Sequence, residues 1–339
     1  MPSGIYDEQS ISTCSLADTS RRQFQSDLTP LIIGILPSIT ARKGIAGRAV
    51  VAKAFEQYYR NEGHKSGSEL AKKRYEVAAR NGVSLEDTAK FEVGGAMAVV
   101  FNTAPTAFWT LFFVYSTSGL LDQVRAEIDA IVTTNSDRHG PLRSVDIKGL
   151  KECCPLLIST FQETLRYIAI GTSVRQVMED TILNGQWLLK KDSMVQMPSR
   201  IIHKDSSLWG PDVDDFNPRR FLKDPEAPKS GSGTKKRPHA AAVRTFGGGT
   251  TLCPGRHFAM NEILALTAMF VLRYDMVPAA GTWSMPSANN SSIANTVMEP
   301  DTDVDVEVSL RKGFEEGRFA CGLKDSDSIL AVAEEDRPV

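Results

Sequence analysis

Residues 246–256 read FGGGTTLCPGR, the stretch that most strongly constrains the fold. Three consecutive glycines let a backbone approach a flat ligand closely, and Cys253 stands four residues after the last of them. The Pro-Gly pair that follows leads into a helical pattern, so backbone N–H groups and the positive end of a helix would flank the Cys253 thiolate. These surroundings favour the charged sulfur, as an axial metal ligand requires. A glycine-rich phosphate loop and a buried structural thiol are the alternatives.

Two further motifs stand upstream of this loop. Residues 163–166 read ETLR, and Glu163 and Arg166, three residues apart, share one face of a helix. Residues 216–221 read FNPRRF. Apolar neighbours of the ETLR pair favour its burial, and buried charges need oppositely charged partners. A solvated surface pair is the alternative for Glu163 and Arg166.

In this order and spacing the three motifs resemble those of the cytochrome P450 family. Phe246, Gly249, Cys253 and Gly255 match its haem-binding loop, ETLR resembles the ExxR pair of its helix K, and FNPRRF resembles its FxPERF segment. The resemblance implies a mainly α fold with small β-sheets, lacking the amino-terminal part of the family's fold. It also implies haem (iron protoporphyrin IX) as the cofactor, with Cys253 as the iron ligand.

The resemblance assigns a structural charge cluster and shows two departures. Glu163 is expected to be held by Arg166 of its own helix and by Arg220 of the FNPRRF segment. Arg219 stands where the family usually has Glu. Thr251 stands where most of the family has a basic residue, so one usual partner of a haem propionate is absent.

Two other cationic residues are candidates for cofactor binding. Arg175, nine residues after Arg166 and at the start of a predicted strand, resembles the family arginine that pairs with a haem propionate. A plain surface arginine is the alternative. His257, at the start of the helix after Cys253, is expected to be either a second propionate donor or a helix cap.

Residues 93–121 form a run of 29 residues without a charge, which is long enough to span a bilayer. Asn102, Thr103 and Pro105 near its centre argue against a span. The resemblance instead identifies the run with the family's helix I, which crosses the distal side of the haem. Pro105 lacks the N–H that would pair with the carbonyl of Phe101, so the helix is predicted to open at Asn102 and Thr103.

In most of the family this opening carries an acid followed by a threonine. Aligned through Phe108 and Trp109, Asn102 takes the threonine position; shifted by one residue, Thr103 is the alcohol and Asn102 replaces the acid. The first alignment is preferred, because it resembles the subgroup that includes sterol 7-alpha-hydroxylase and prostacyclin synthase. An amide donates hydrogen bonds but relays protons poorly.

Composition excludes several classes of protein. Lys plus Arg total 39 and Asp plus Glu total 41, so the net charge of -2 predicts no nucleic-acid partner. Five cysteines without a CxxC pair argue against a disulfide scaffold or a structural zinc site. The first 20 residues contain no apolar signal or anchor segment. The resemblance nevertheless implies a location at the surface of the endoplasmic reticulum membrane.

Local patterns predict the remaining organisation. Helices are expected at residues 31–59, 122–132, 156–170 and 256–273, and strands at residues 174–177, 181–183, 187–189 and 304–310, the last one half-buried. The apolar face of the helix after Cys253 is expected to comprise Phe258, Met260, Ile263, Leu264, Ala268 and Val271.

The resemblance implies a single haem-thiolate domain over residues 1–323, clearest over 92–278. A flexible insert is expected at about 223–242 and a disordered tail at 324–339.

By resemblance, the expected reaction is insertion of one oxygen atom into a lipophilic substrate such as a sterol, terpenoid or fatty-acid-like molecule. Molecular oxygen and an NADPH-dependent reductase are the expected partners. The alternatives are a peroxide isomerase of the same fold and a non-catalytic, truncated haem-binding fragment.

Overall fold

The computed structural model describes residues 20, 23–138, 140–222, 240–289 and 295–322. Most of the predicted insert and the whole of the predicted tail lie outside these residues. The chain divides into two compact units, Met1–Phe101 and Asn102–Val339. The single domain expected over residues 1–323 stays a prediction.

The helices described in the first unit are α1 (Leu28–Ile33), α2 (Pro37–Thr40), α3 (Arg42–Arg60), α4 (Glu69–Arg80) and α5 (Leu85–Val100). The helical pattern predicted from residue 31 is interrupted at Gly34 and Leu36, whose φ angles are 72° and 45°. Helices α4 and α5 each follow a serine, Ser68 and Ser84, whose hydroxyl accepts a hydrogen bond from a backbone N–H of the first turn. Helix α3 packs against α5.

The long apolar segment opens where proline predicts it. Helix α5 ends at Val100, and the next helix, α6 (Thr103–Ser116), has Pro105 as its third residue. By length and composition alone, Leu85–Ser116 is one candidate membrane span among the described residues, a test that core helices of soluble proteins also pass. The identification of this segment with helix I of the resembled family stays a prediction.

The helices described in the second unit are α6, α7 (Leu120–Asp129), α8 (Ile147–Cys153), α9 (Pro155–Ile168), α10 (Ser199–His203), α11 (Ser206–Trp209) and α12 (Arg256–Arg273). Helices α6, α7, α9 and α12 pack around an apolar core that includes Val124, Phe161 and Leu264. Helix α9 is buried on nearly all sides, so its polar side chains also lie in the core.

The strands are β1 (Thr133–Asp137), β2 (Gly140–Asp146), β3 (Thr172–Gln176), β4 (Thr181–Leu183), β5 (Trp187–Leu189), β6 (Met194–Pro198), β7 (Tyr274–Pro278), β8 (Ala288–Asn289), β9 (Glu299–Pro300), β10 (Val306–Leu310) and β11 (Arg318–Gly322). Strand β2 pairs antiparallel with β1 and parallel with β11, and the other pairs, β3–β6, β4–β5, β7–β10 and β8–β9, are antiparallel. At the β4–β5 turn Asn184 and Gly185 have φ angles of 52° and 69°, as a tight hairpin requires.

Two predictions of burial are wrong. Phe258 is 52% exposed, because two residues along a helix separate it from Met260 by about 200° and so turn it away from the core. Val308 and Leu310 of β10 are 55% and 44% exposed. Their alternation marks the strand correctly, but β10 belongs to a two-stranded sheet among the described residues, and no other layer covers the face that carries Val308 and Leu310.

Candidate functional site

A buried carboxylate lies at the centre of the second unit. Arg166 binds both oxygens of Glu163, with Nε–Oε2 at 2.7 Å and Nη2–Oε1 at 2.8 Å, and neither side chain is exposed. The Nε atom of Arg220 lies 3.1 Å from each oxygen, and the backbone N–H of Asn217 donates to Oε1 at 2.9 Å. The structure therefore brings Glu163, Arg166 and Arg220 into direct contact, with the carboxylate bound by two guanidinium groups.

The two arginines also donate to backbone carbonyls of the chain between α10 and the FNPRRF motif. Arg166 donates to the carbonyls of His203, at 2.8 Å, and Val213, at 2.9 Å. Arg220 donates to the carbonyl of Asp212 at 2.8 Å and to its carboxylate at 3.1 Å. The hydrogen bond from Arg220 lowers the pKa of Asp212. The charge cluster thus cross-links α9 to residues 203–220.

His203 continues this network towards the Cys253 loop. Its Nδ1 lies 3.2 Å from the carbonyl oxygen of Arg166, and its Nε2 accepts the backbone N–H of Arg244 at 3.0 Å. Burial, with a smaller effect of the Arg166 charge, lowers the pKa of His203 to about 4. The neutral ring donates from Nδ1 and accepts at Nε2. Sequence analysis missed His203, because a lone histidine after two isoleucines carries no periodic signal.

The glycine-rich loop folds into a tight turn ahead of α12. Gly247 and Gly249 adopt φ angles of 81° and 61°, which favour glycine, and Gly249–Thr251 form a short 3₁₀ turn. The backbone N–H of Cys253 donates to the carbonyl of Phe246 at 2.9 Å, and the Phe246 ring packs against the core. The Cys253 side chain is half-buried at the end of this turn.

The start of α12 borders the cysteine. The guanidinium of Arg256 donates to the carbonyl of Cys253 at 3.1 Å. Gly255 lies beside the Cys253 sulfur, because a Cβ atom at this position would be in ordinary van der Waals contact with it, at 3.9 Å. His257 is half-buried in the first turn of α12. Its expected contact with a propionate stays a prediction.

The other described cysteines differ from Cys253 in their surroundings. Burial raises the pKa of the Cys154 thiol to about 12 and that of Cys321 to about 11. At both positions burial disfavours the thiolate, which is the form that binds metal. Cys153 is exposed on the surface, and Cys14 lies outside the described residues.

Arg175 extends from β3 to the glycine-rich loop. Its Nη2 donates to the carbonyl of Gly248 at 2.8 Å and to the hydroxyl of Thr251 at 2.7 Å, and its Nη1 donates to the carbonyl of Val174 at 2.8 Å. Within the part of the chain that the structure describes, no carboxylate pairs with it. Thr251, which replaces the family's usual cation, thus accepts a hydrogen bond from another cation.

Asn102 lies at the opening before α6, with its side-chain carbonyl engaged. Its Oδ1 accepts the Thr296 hydroxyl at 2.6 Å and the Thr296 backbone N–H at 3.4 Å. Because the backbone N–H must donate, the atom that faces it is the oxygen, and the amide NH₂ points elsewhere. The indole N–H of Trp109 donates to the carbonyl of Met298 at 2.9 Å and so holds the segment that contains Thr296. Thr103, half-buried, begins α6.

Comparison with known proteins settles the family. A family model described as cytochrome P450 matches residues 53–302. The chain belongs to the cytochrome P450 family.

Relatives agree with this assignment. The chain is 37% identical, over 90% of its length, to cytochrome P450 monooxygenase nodJ of Hypoxylon pulicicidum, and 29% identical, over 84%, to a cytochrome P450 monooxygenase of Gibberella zeae. It is 28% identical, over 54%, to cytochrome P450 7B1 of Mus musculus. The chain spans 59%, 54% and 37% of these three proteins, respectively.

The donor groups of the loop fit the family's haem. Among the described residues no group of three or more His, Cys, Asp or Glu side chains could hold a metal ion. A single half-buried cysteine instead would suit an iron atom whose remaining ligands come mainly from a macrocycle. Arg175, which forms no ion pair with any described carboxylate, would be available to bind a carboxylate of that macrocycle.

The charge cluster predicts a large effect of Arg166→Ala. Removing one partner of a buried ion pair leaves the other charge uncompensated, so the free energy of unfolding should fall by about 3–5 kcal/mol. Denaturant unfolding and the yield of folded, haem-loaded protein measure the effect. Arg311→Ala is the matched control, because Arg311 binds Asp129 through two hydrogen bonds in a partly exposed pair, for which about 1 kcal/mol or less is expected.

The structural role would be wrong if Arg166→Ala kept full haem content and melting temperature and lost only turnover.

His203 predicts a pH dependence of stability. Its pKa is about 4 in the folded chain, against an ordinary value of about 6.5, so the unfolded chain binds one more proton between these values. The contribution of His203 to the free energy of unfolding is therefore fully present above pH 6.5, and it falls by about 1.4 kcal/mol per pH unit towards pH 4. His203→Gln removes this contribution. Urea unfolding between pH 4.5 and 7 should show a shallower slope for the variant, and equal slopes would contradict the assignment.

Proposed function

We propose that the Cys253 thiolate is the axial ligand of a haem and that the protein is a haem-dependent monooxygenase. The observation that carries the proposal is the glycine turn, which places the half-buried Cys253 just before α12. The backbone N–H of Cys253 donates to the carbonyl of Phe246 and holds the turn. A thiolate-ligated haem would activate molecular oxygen, with electrons from a reductase, for the insertion of one oxygen atom into a C–H bond. The protein's own residues bind, orient and enclose that group.

The substrate, partners and location follow from the same resemblance. A lipophilic molecule such as a sterol, terpenoid or fatty-acid derivative is the proposed substrate. Molecular oxygen and an NADPH-dependent reductase are the proposed partners, at the surface of the endoplasmic reticulum membrane. The named monooxygenase relatives support this class of reaction, and the single haem-thiolate domain is part of the same proposal.

Asn102 is proposed as the polar residue on the distal side of the haem. Thr296 engages the amide oxygen through two hydrogen bonds, so the NH₂ group is the part left to donate to a ligand. The carbonyl of Thr296 accepts the backbone N–H groups of Ile170 and Gly171 at 2.9 and 3.1 Å, which fixes Thr296 to the chain after α9. An amide held in this way can orient a bound ligand, while proton delivery falls to water.

Cys253→Ser tests the ligand assignment. Wild-type protein reconstituted with haem and reduced under carbon monoxide should give the red-shifted band of thiolate ligation, and the variant should lose it because serine supplies no thiolate. Cys153→Ser and Cys321→Ser are the matched controls and should keep the band. A red-shifted band that persists in Cys253→Ser would end the assignment.

Asn102→Thr separates the two enzymatic alternatives. In a monooxygenase the exchange should raise oxygen-dependent hydroxylation, because a hydroxyl relays protons better than an amide does. In a peroxide isomerase it should cripple rearrangement, since the amide orients the peroxide. Hydroxylation is measured with molecular oxygen and a reductase, and rearrangement is measured with a peroxide substrate.

Thr296→Val and Thr296→Ser make the matched pair for this test. Serine keeps the donor to the Asn102 carbonyl, whereas valine removes it, so only Thr296→Val should impair the activity that depends on Asn102. If Asn102→Thr changes neither activity, position 102 does not face the iron, and Thr103 becomes the aligned residue.

A further inference from the structure

We propose that Arg244 supplies the cation missing at position 251, and that Arg244 and Arg175 together bind a carboxylate, namely a haem propionate. This inference rests on the proposed binding of haem at the glycine-rich loop. Neither the family motifs nor the sequence pattern singles out Arg244.

The backbone of Arg244 is fixed from both sides. Its N–H donates to Nε2 of the buried His203 at 3.0 Å, and its carbonyl accepts the hydroxyl of Ser199 at 3.1 Å. Since His203 also contacts Arg166 of the charge cluster, the start of the Arg244 side chain has a defined position relative to α9. Its long side chain then reaches the glycine-rich loop.

Gly248 is the point of contact between that side chain and the loop. The residue is buried, and a Cβ atom built on it would overlap the Arg244 guanidinium. Its φ of 173° is extended, which any residue adopts. Glycine at 248 therefore provides space, because it lets the Arg244 guanidinium lie against the loop backbone, and its conformation does not demand glycine.

The side chains of Arg175 and Arg244 both contact Gly248. Arg175 donates to the carbonyl of Gly248, and Arg244 lies against its α-carbon. Within the described part of the chain, neither arginine forms an ion pair, and the Arg244 guanidinium has no hydrogen bond. Arg125, Arg166, Arg220 and Arg311 of the same unit each pair with a carboxylate.

This arrangement predicts an anionic ligand. An arginine does not lose its proton in a protein, so two neighbouring guanidinium groups repel each other unless an anion lies between them. A planar carboxylate matches the geometry of guanidinium donors. Haem carries two propionates, and Thr251 offers no charge to either of them. Arg244 lies against the same loop and replaces that charge.

The rate of haem loss to excess apomyoglobin tests the inference, with haem and with haem dimethyl ester, whose propionates are uncharged. Arg244→Gln should speed the loss of haem by ~10-fold, as expected for a lost hydrogen bond to a charged group, and leave the loss of the ester nearly unchanged. Lys191→Gln, which removes an exposed cation from the β5–β6 turn, should affect neither. Arg244→Lys should recover part of the effect.

Gly248→Ala provides a second, independent variant. Its methyl group displaces the Arg244 guanidinium, so it should reproduce the selective loss of haem, and the double variant Arg244→Gln, Gly248→Ala should be no worse than the more affected single variant. Equal acceleration for haem and its ester, or none for either, would overturn the role of Arg244.

The carbon monoxide spectrum separates the two proposals. Wild-type protein and Arg244→Gln should both keep the red-shifted band. A wild type without that band contradicts the proposed function itself. If the wild type gives the band but Arg244→Gln does not speed the loss of haem more than the loss of its ester, only the assignment of Arg244 is overturned.

Discussion

The second unit depends on the burial of one carboxylate. Glu163 lies on the buried helix α9, where an unpaired charge would cost several kcal/mol. Arg166 and Arg220 both form ion pairs with its carboxylate and so compensate the negative charge. Because Arg220 comes from the chain beyond α11, the ion pairs join parts of the sequence that share no regular secondary structure. The other N–H groups of both arginines donate mainly to backbone carbonyls of that same chain, and Arg220 also binds the carboxylate of Asp212.

Helix α9 therefore organises both sides of the proposed haem site. Through His203 it holds the backbone of Arg244, two residues before the glycine-rich loop begins. At its carboxyl end, the carbonyl of Ile168 accepts the N–H of Met298 at 2.9 Å, which positions the segment that carries Thr296. The loop of Cys253 and the residue that orients Asn102 are thus both fixed to one buried helix.

Local patterns in the sequence predict much of this structure. Helical periodicity predicts α9 and α12, the proline at 105 predicts the opening before α6, and the glycine-rich motif identifies the loop. Residues that act through distant contacts carry no such signal. His203, Arg244 and Thr296 are bound by partners far away in the sequence, and the parallel pairing of β2 with β11 is equally non-local. Periodicity also predicts which residues alternate but not which face another layer covers, as Val308 shows.

Hydrogen exchange, followed by mass spectrometry with and without haem, tests the central claim that the charge cluster holds a preformed haem loop. Peptides from Pro155–Ile168 should be protected in both states, because their ion pairs need no cofactor. Peptides covering residues 244–256 and Thr172–Gln176 should gain protection when haem is added. Exchange in residues 244–256 that is unchanged by haem, or unprotected α9 in its absence, would contradict the account.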